Sequence, residues 1–337
     1  MKSIGFNQGS QVDAPDCMFD TTVDIPVPGP RDVLVRVHAT GVNPLDTKVR
    51  AGMVPVPETV RALGWDAAGV VEAVGAEVRL LKPGERVYYA GSFDRTGSNA
   101  EYQLVDERIA AAMPAKLSFA QAAAVPLAAL TAWQLLFERF EISPGDRQPR
   151  GCLLVLGGAG GVGSLLIQLA RQLTGFTVIA TASRPDSAAW CRSMGAHHVI
   201  DHSQPLPIQI DALKVPAVTH IAALSQTAQH IAELVEIIAP HGKLAVIDDH
   251  QQFDAAPLKS KSVSLHWEMV FTRPLYGTPD MIEQHHILQR VARLLEEGLL
   301  RSTLQQRLAP GAASMALAHG MIERGGGCGK IVLAEQD

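Results

Sequence analysis

The chain has little of several things. Cysteine is scarce: Cys17, Cys152, Cys191 and Cys328 are scattered through 337 residues, and no two form C-x-x-C. That pattern excludes a disulfide framework and a cysteine zinc site, and it is the usage of a reduced, cytoplasmic protein. Aromatic residues make up only 5% and the formal charge is −5, so no basic, aromatic-rich surface is expected for nucleic acid or anionic lipid. No apolar run approaches the roughly 18 residues of a membrane span, and residues 1–8 lack the apolar centre of a signal peptide. None of Tyr88, Tyr89, Tyr102 and Tyr276 is followed four residues later by Lys, which removes the Tyr-Lys acid pair of short-chain reductases.

What is present is a glycine-rich turn in the middle of the chain. Cys152-Leu153-Leu154-Val155-Leu156 reads as a buried parallel strand, and an apolar-periodic helix begins near Ser164. Between them stand Gly157, Gly158, Ala159, Gly160, Gly161, Val162 and Gly163. Gly158, Gly160 and Gly163 fit G-x-G-x-x-G in the strand-turn-helix context that gives this pattern meaning. The first glycine is expected to permit the tight turn, the second to let a pyrophosphate approach the backbone, and the third to let helix and strand pack closely. The free N–H groups and positive dipole end of the helix then face the phosphates.

The next strand, 176–181, runs into Ala182-Ser183-Arg184-Pro185. An NAD site usually ends this strand with a carboxylate for the ribose 2′-OH. Here a hydroxyl and a guanidinium stand instead, and a guanidinium suits a phosphate. Ser183 and Arg184 therefore point to NADPH. Asp186 close behind, which could replace the missing acid, is the feature that favours NADH.

Residues 1 to about 125 look β-rich, with strands expected over 32–39, 67–75 and 84–89 and turns at Pro28-Gly29-Pro30 and Lys82-Pro83-Gly84. Ser118 to Arg139 reads as two helices broken near Pro126. Strands then alternate with helices from Cys152, at 178–181, 199–201, 220–224, 243–247 and 263–267. The expected fold is α/β: a doubly wound parallel sheet plus a β-rich barrel domain. A long helix over 280–298 and a final strand at 329–333 follow. The division is expected at 128–271 for the dinucleotide domain, with 1–127 and 272–337 forming one discontinuous domain.

At this point the chain resembles the medium-chain dehydrogenase/reductase superfamily along its full length, and within it the zinc-free quinone oxidoreductase branch of the zeta-crystallin type. The residues that carry the likeness are Gly41-Val42-Asn43-Pro44-Leu45-Asp46, Leu63-Gly64-Trp65-Asp66-Ala67-Ala68-Gly69, Gly97-Ser98-Asn99-Ala100-Glu101-Tyr102, Leu130-Thr131-Ala132-Trp133, the glycine loop and Gly329-Lys330-Ile331-Val332. The resemblance implies a Rossmann domain with a GroES-like domain. It implies that zinc-dependent relatives hold their metal on a Cys where this chain has Asn43, a His where it has Trp65, and a third ligand near apolar Leu127. No metal ligand set is therefore expected.

Asn43 and Asp46 are the candidate catalytic residues: the same resemblance places Asn43 beside the nicotinamide, and Asp46 either orders that loop, binds a polar group of the substrate, or is a turn carboxylate bonded to its own backbone. The resemblance places Thr131 at a helix start near the nicotinamide, His202 near the adenine ribose phosphate, and Lys330 near the cofactor. Gly158, Gly160, Gly161, Val162 and Gly163 would hold the pyrophosphate. The aromatic that relatives carry after the Asn-Pro segment is missing, so Trp65, Trp267 and Phe271 are the expected shapers of a quinone or enone pocket. The expected assembly is a homodimer or a dimer of dimers, with strand 263–271 pairing across a twofold axis. Two other readings stay open: an NADPH-binding protein with a crystallin-like or RNA-binding role, and a zinc-dependent alcohol dehydrogenase.

Overall fold

The computed structural model describes residues 1–60, 62–249 and 252–335. Contacts divide the chain into Met1–Leu130 with Phe271–Asp337, and Thr131–Val270. In chain order the elements are β1 (Lys2–Phe6), β2 (Met18–Thr22), β3 (Asp32–Val42), α1 (Pro44–Arg50), β4 (Asp66–Val74), β5 (Arg86–Tyr89), β6 (Tyr102–Asp106), β7 (Ala110–Ala112), α2 (Phe119–Ala123) and α3 (Pro126–Trp133). Then come β8 (Cys152–Leu156), α4 (Gly161–Leu173), β9 (Thr177–Thr181), α5 (Pro185–Ser193), β10 (His198–Ile200), α6 (Leu206–Leu213), β11 (Val218–Ala223), α7 (Thr227–Ile237), β12 (Ile238–Val246) and β13 (Ser264–Trp267). The tail adds α8 (Thr272–Tyr276), α9 (Glu283–Glu296), β14 (Leu304–Leu308), α10 (Ala312–Glu323) and β15 (Lys330–Ala334).

In the first unit β3 is the spine of a seven-stranded sheet ordered β14-β15-β3-β4-β5-β7, with β6 also paired to β3. Pairing is antiparallel except between β14 and β15. Val33 and Val35 pack with Ala67, Val71, Val87 and Tyr89 into one apolar core. The register does the positioning. Gly41 of β3 faces Asp66 at the start of β4, and Val42 faces Ile331 of β15. The end of β3 thus meets the starts of both neighbours. A Cβ on Gly41 would sit 2.4 Å from the Ala123 carbonyl oxygen, so glycine is what lets α2 lie this close.

In the second unit six strands run parallel in the order β10-β9-β8-β11-β12-β13. β8 is buried throughout, the continuous apolar run of a sheet covered on both faces. The chain winds outward from β8 to β10 and then returns to β11 on the other side. That reversal beside β8 is the switch point at which doubly wound sheets bind dinucleotides.

Two expectations are corrected here. The stretch 119–139, formed by α2, α3 and a π-helical segment Gln134–Arg139, is long and apolar enough to cross a membrane, although no such run was expected. Of its apolar window 83% is buried inside the protein, as in a core helix. The strand expected apolar on both faces near 263–271 is only Ser264–Trp267, with both ends exposed, because it is the edge of its sheet.

Candidate functional site

The glycine loop of the second unit divides its labour differently from the expectation. The left-handed turn is made by Gly157, at φ +83°, not by Gly158. Gly158 is small for packing: a Cβ there would stand 2.7 Å from the Ala180 Cβ and 3.2 Å from the Cys191 sulfur. Gly163 serves the close helix-strand contact, since a Cβ would meet the carbonyl oxygens of Gly157 and Gly158 at 2.6 Å. Gly160 has open space before it, with only the Gly157 carbonyl oxygen at 3.8 Å, and its backbone can be approached. It caps α4, and no side chain fills the capping position ahead of Gly161, Val162 and Gly163. An uncapped N-terminus below a turn of this shape offers N–H groups to an anion, so the loop fits a dinucleotide pyrophosphate.

One supporting residue went unread in the sequence: Thr181, at the end of β9, accepts the Gly157 N–H on its hydroxyl at 3.0 Å and pins the turn. Beyond it Ser183 and Arg184 are exposed, and Arg184 precedes α5 with its N–H on the Ser187 hydroxyl. His202 follows β10, half-buried. Thr131 lies inside α3, not at a helix start, because Pro126 already supplies the first turn.

In the first unit a buried polar cluster forms where β3, β4 and β15 meet. Asn43, Asp46, Asp66 and Lys330 are each at most 4% exposed. The Lys330 ammonium donates to the Val42 carbonyl at 2.9 Å, to Asp66 Oδ2 at 2.8 Å and to Asn43 Oδ1. Asn43 Nδ2 donates to the same Asp66 oxygen at 3.0 Å. Asp66 Oδ1 accepts the Leu127 N–H at 2.7 Å. Asp46 Oδ2 accepts the Asn43 N–H at 2.8 Å, and its Oδ1 accepts the Gly64 N–H at 2.9 Å. Burial pushes the Asp46 carboxyl up to about 7, against the two backbone donors and Lys330; Asp66 adds to the rise.

The sequence named Asn43, Asp46 and Lys330 but not Asp66, which joins them. The signal was there, an Asp next to Trp65 at the mouth of an apolar strand, where an unpaired charge is costly. The structure gives Asn43 a held carboxamide whose oxygen and nitrogen are both engaged within the protein.

The aromatic residues behave differently from one another. Trp65 is 1% exposed, donates its indole N–H to the Ser92 carbonyl at 3.1 Å and packs on Phe93 and Phe271. Phe271 is likewise buried. Both are seated as core side chains. Trp267 is 56% exposed on the edge strand β13, tilted against Phe253. Trp65 and Phe271 belong to the first unit and Trp267 to the second.

Comparison with known proteins agrees with this architecture. Residues 29–116 match the alcohol dehydrogenase GroES-like domain and residues 194–333 the zinc-binding dehydrogenase family. A zinc-type alcohol dehydrogenase-like protein of Staphylococcus epidermidis is 38% identical over 99% of both chains. A quinone oxidoreductase of Pseudomonas aeruginosa is 32% identical over 86% of this chain and 87% of its own. A solved structure of a candidate zinc-dependent alcohol dehydrogenase from Rhizobium etli superposes with a TM-score of 0.93, at 46% identity, covering 100% of this chain and 98% of that one.

Zinc in those names has to be tested on the donors. Zinc takes thiolate, imidazole or carboxylate. Asn43 and Trp65 offer none of these, and both Asp46 oxygens and both Asp66 oxygens already accept protein hydrogen bonds. Among the described residues no group of three His, Cys, Asp or Glu could hold a metal. Two histidine pairs are adjacent in the chain, His197-His198 and His285-His286; His197 Nδ1 accepts the Val178 N–H, and His285 Nδ1 lies 2.6 Å from the Ala110 carbonyl oxygen. The donor set does not fit zinc.

Proposed function

The chain belongs to the medium-chain dehydrogenase/reductase superfamily and is an oxidoreductase; from that footing we propose that it reduces quinones or α,β-unsaturated carbonyls with NADPH, by direct hydride transfer and without zinc. The observation that carries the reading is Asn43, a carboxamide fixed by Asp66 and Lys330 where zinc-dependent relatives carry a metal-binding Cys.

NADPH supplies the hydride. The glycine loop and the first turn of α4 bind the pyrophosphate, and Ser183, Arg184 and His202 receive the 2′-phosphate. Reduction of a simple ketone builds a localised alkoxide, which calls for a Lewis acid or a strong proton donor. A conjugated acceptor spreads the same charge and asks for less. Positioning and exclusion of water then suffice. Asn43, locked by Lys330 and Asp66, is a rigid hydrogen-bonding group of that kind, and Asp46 holds the backbone of Asn43 in place.

The cytoplasm is the proposed compartment, since the four cysteines are few, scattered and without C-x-x-C spacing. The test is isotopic. Chelator-treated protein given deuterated NADPH labelled at nicotinamide C4 should deliver deuterium to the β-carbon of an enone. Unlabelled product, or transfer only after zinc is restored, would overturn the proposal.

A further inference from the structure

His202, assigned above to the 2′-phosphate, has a second histidine against it in the second unit. His202, at the end of β10, meets His230 of α7 edge to face, with ring centroids 6.2 Å apart. Nδ1 of His202 is buried and has no hydrogen-bond partner. A doubly protonated ring there would bury an unpaired N–H, at a cost comparable to a lost hydrogen bond.

His230 turns its own Nδ1 to Glu233 Oε2 at 3.1 Å, and the other oxygen of Glu233 accepts the Leu206 N–H at 3.0 Å. Asp201 accepts the N–H and hydroxyl of Ser203, both at 2.8 Å. Arg184 follows β9 where it runs beside β10: Thr181 faces Ile200 and the Ala182 N–H bonds the Ile200 carbonyl at 2.9 Å, so the segments carrying Arg184 and His202 leave adjacent strand ends. Burial, then His230 and Arg184, hold the His202 imidazole below its usual pKa, with Asp201 opposing.

We propose that His202 is a proton-linked specificity residue: its ring is neutral without ligand and takes up a proton when a ribose 2′-phosphate docks beside Arg184. The inference rests on the NADPH reading above and goes beyond it, because it makes the choice between NADPH and NADH depend on pH. The physical cause is the sign of the local field. Without the phosphate, burial, the Arg184 guanidinium and an unpaired nitrogen disfavour the imidazolium. A phosphate dianion reverses that field and stabilises the second proton. Affinity for the phosphorylated ribose then rises as pH falls, by linkage. NADH carries no such group and does not respond.

The test uses 2′,5′-ADP against 5′-AMP by titration calorimetry, on wild type, His202→Asn and His230→Asn. In wild type the affinity ratio should rise roughly three- to tenfold from about pH 8 to about pH 6, with proton uptake visible as heats that depend on the buffer. In His202→Asn the uptake should vanish and the ratio stay flat or fall, since only the phosphate's own titration is left. In His230→Asn the uptake should remain, because the ligand phosphate that drives it is unchanged. A wild-type preference for 2′,5′-ADP with proton uptake equal to that of His202→Asn would overturn this inference while the NADPH reading stands. No preference at any pH would overturn both.

Discussion

Lys330 and Asp66 stand 264 residues apart in the chain and 2.8 Å apart in the fold. Both side chains are buried, at 4% and 0% exposure. The pair closes the sheet of the first unit at the point where β15, β3 and β4 meet, and it holds the Asn43 carboxamide. Removing one partner of such a pair leaves a buried charge without its counterion, which costs more than the pair itself contributes.

Lys330→Met is therefore expected to lower unfolding stability by about 3–5 kcal/mol. The double variant Lys330→Met with Asp66→Asn should recover part of that loss, because no lone carboxylate remains. Urea unfolding at neutral pH measures both. A single variant as stable as wild type would show that the ammonium contributes nothing at this site.

Two buried groups give opposite pH dependences. Asp46 is pushed up to about 7, above its usual 3.8, so the folded state holds the proton longer than the unfolded chain. Its contribution to stability is complete below about pH 4 and is lost as pH rises through 7. His319, fully buried beside Arg50, is lowered to about 3 by burial and then by the guanidinium. Its contribution is complete above about 6.5 and is lost as pH falls toward 3. Each slope is at most about 1.4 kcal/mol per pH unit. Melting curves of Asp46→Asn and His319→Gln against wild type between about pH 4 and 8 separate them. The wild-type advantage over Asp46→Asn should shrink with rising pH, and that over His319→Gln should grow.

Arg184→Ala should weaken NADPH binding roughly ten- to a hundredfold and leave NADH binding unchanged. A charge-assisted contact to phosphate contributes about 1.5–3 kcal/mol. Fluorescence titration of both cofactors decides it. Equal affinity of wild type for the two would remove the assignment of Ser183 and Arg184.

The exposed edge at β13 calls for a partner. Trp267 at 56% and Met269 at 46% exposure lie on or next to an edge strand paired on one side only, a combination that soluble monomers avoid. A homodimer, or a dimer of dimers, is expected by light scattering at micromolar concentration. Trp267→Glu should shift it toward monomer. A wild-type monomer would contradict the proposed pairing.

The legible parts of this fold were those with strong local pattern. β8 announced itself by an unbroken apolar run, its turn by glycine density, and α9 by apolar periodicity near Pro279 and Gly298. Edge and irregular elements were hidden. β14 reads Leu-Gln-Gln-Arg-Leu and has no apolar face to betray it. The π-helical turn at Gln134–Arg139 has the composition of the helix it continues. Gly157 was missed as the turn residue because G-x-G-x-x-G assigns the turn to its first matching glycine, and only φ distinguishes it from Gly158. The pairings of Asp66 with Lys330 and of His202 with His230 depend on register and on crossover helices, and neither is written in spacing along the chain.

The most direct measurement of the central claim is the initial rate of NADPH oxidation by metal-free protein, taken in one series with 1,4-benzoquinone, a cyclic enone and the matching saturated ketone. The expected result is turnover of the quinone or the enone, little or none of the saturated ketone, and no change on adding zinc. Reduction of the saturated ketone with no activity on either conjugated acceptor, or activity that appears only with zinc, would contradict the account.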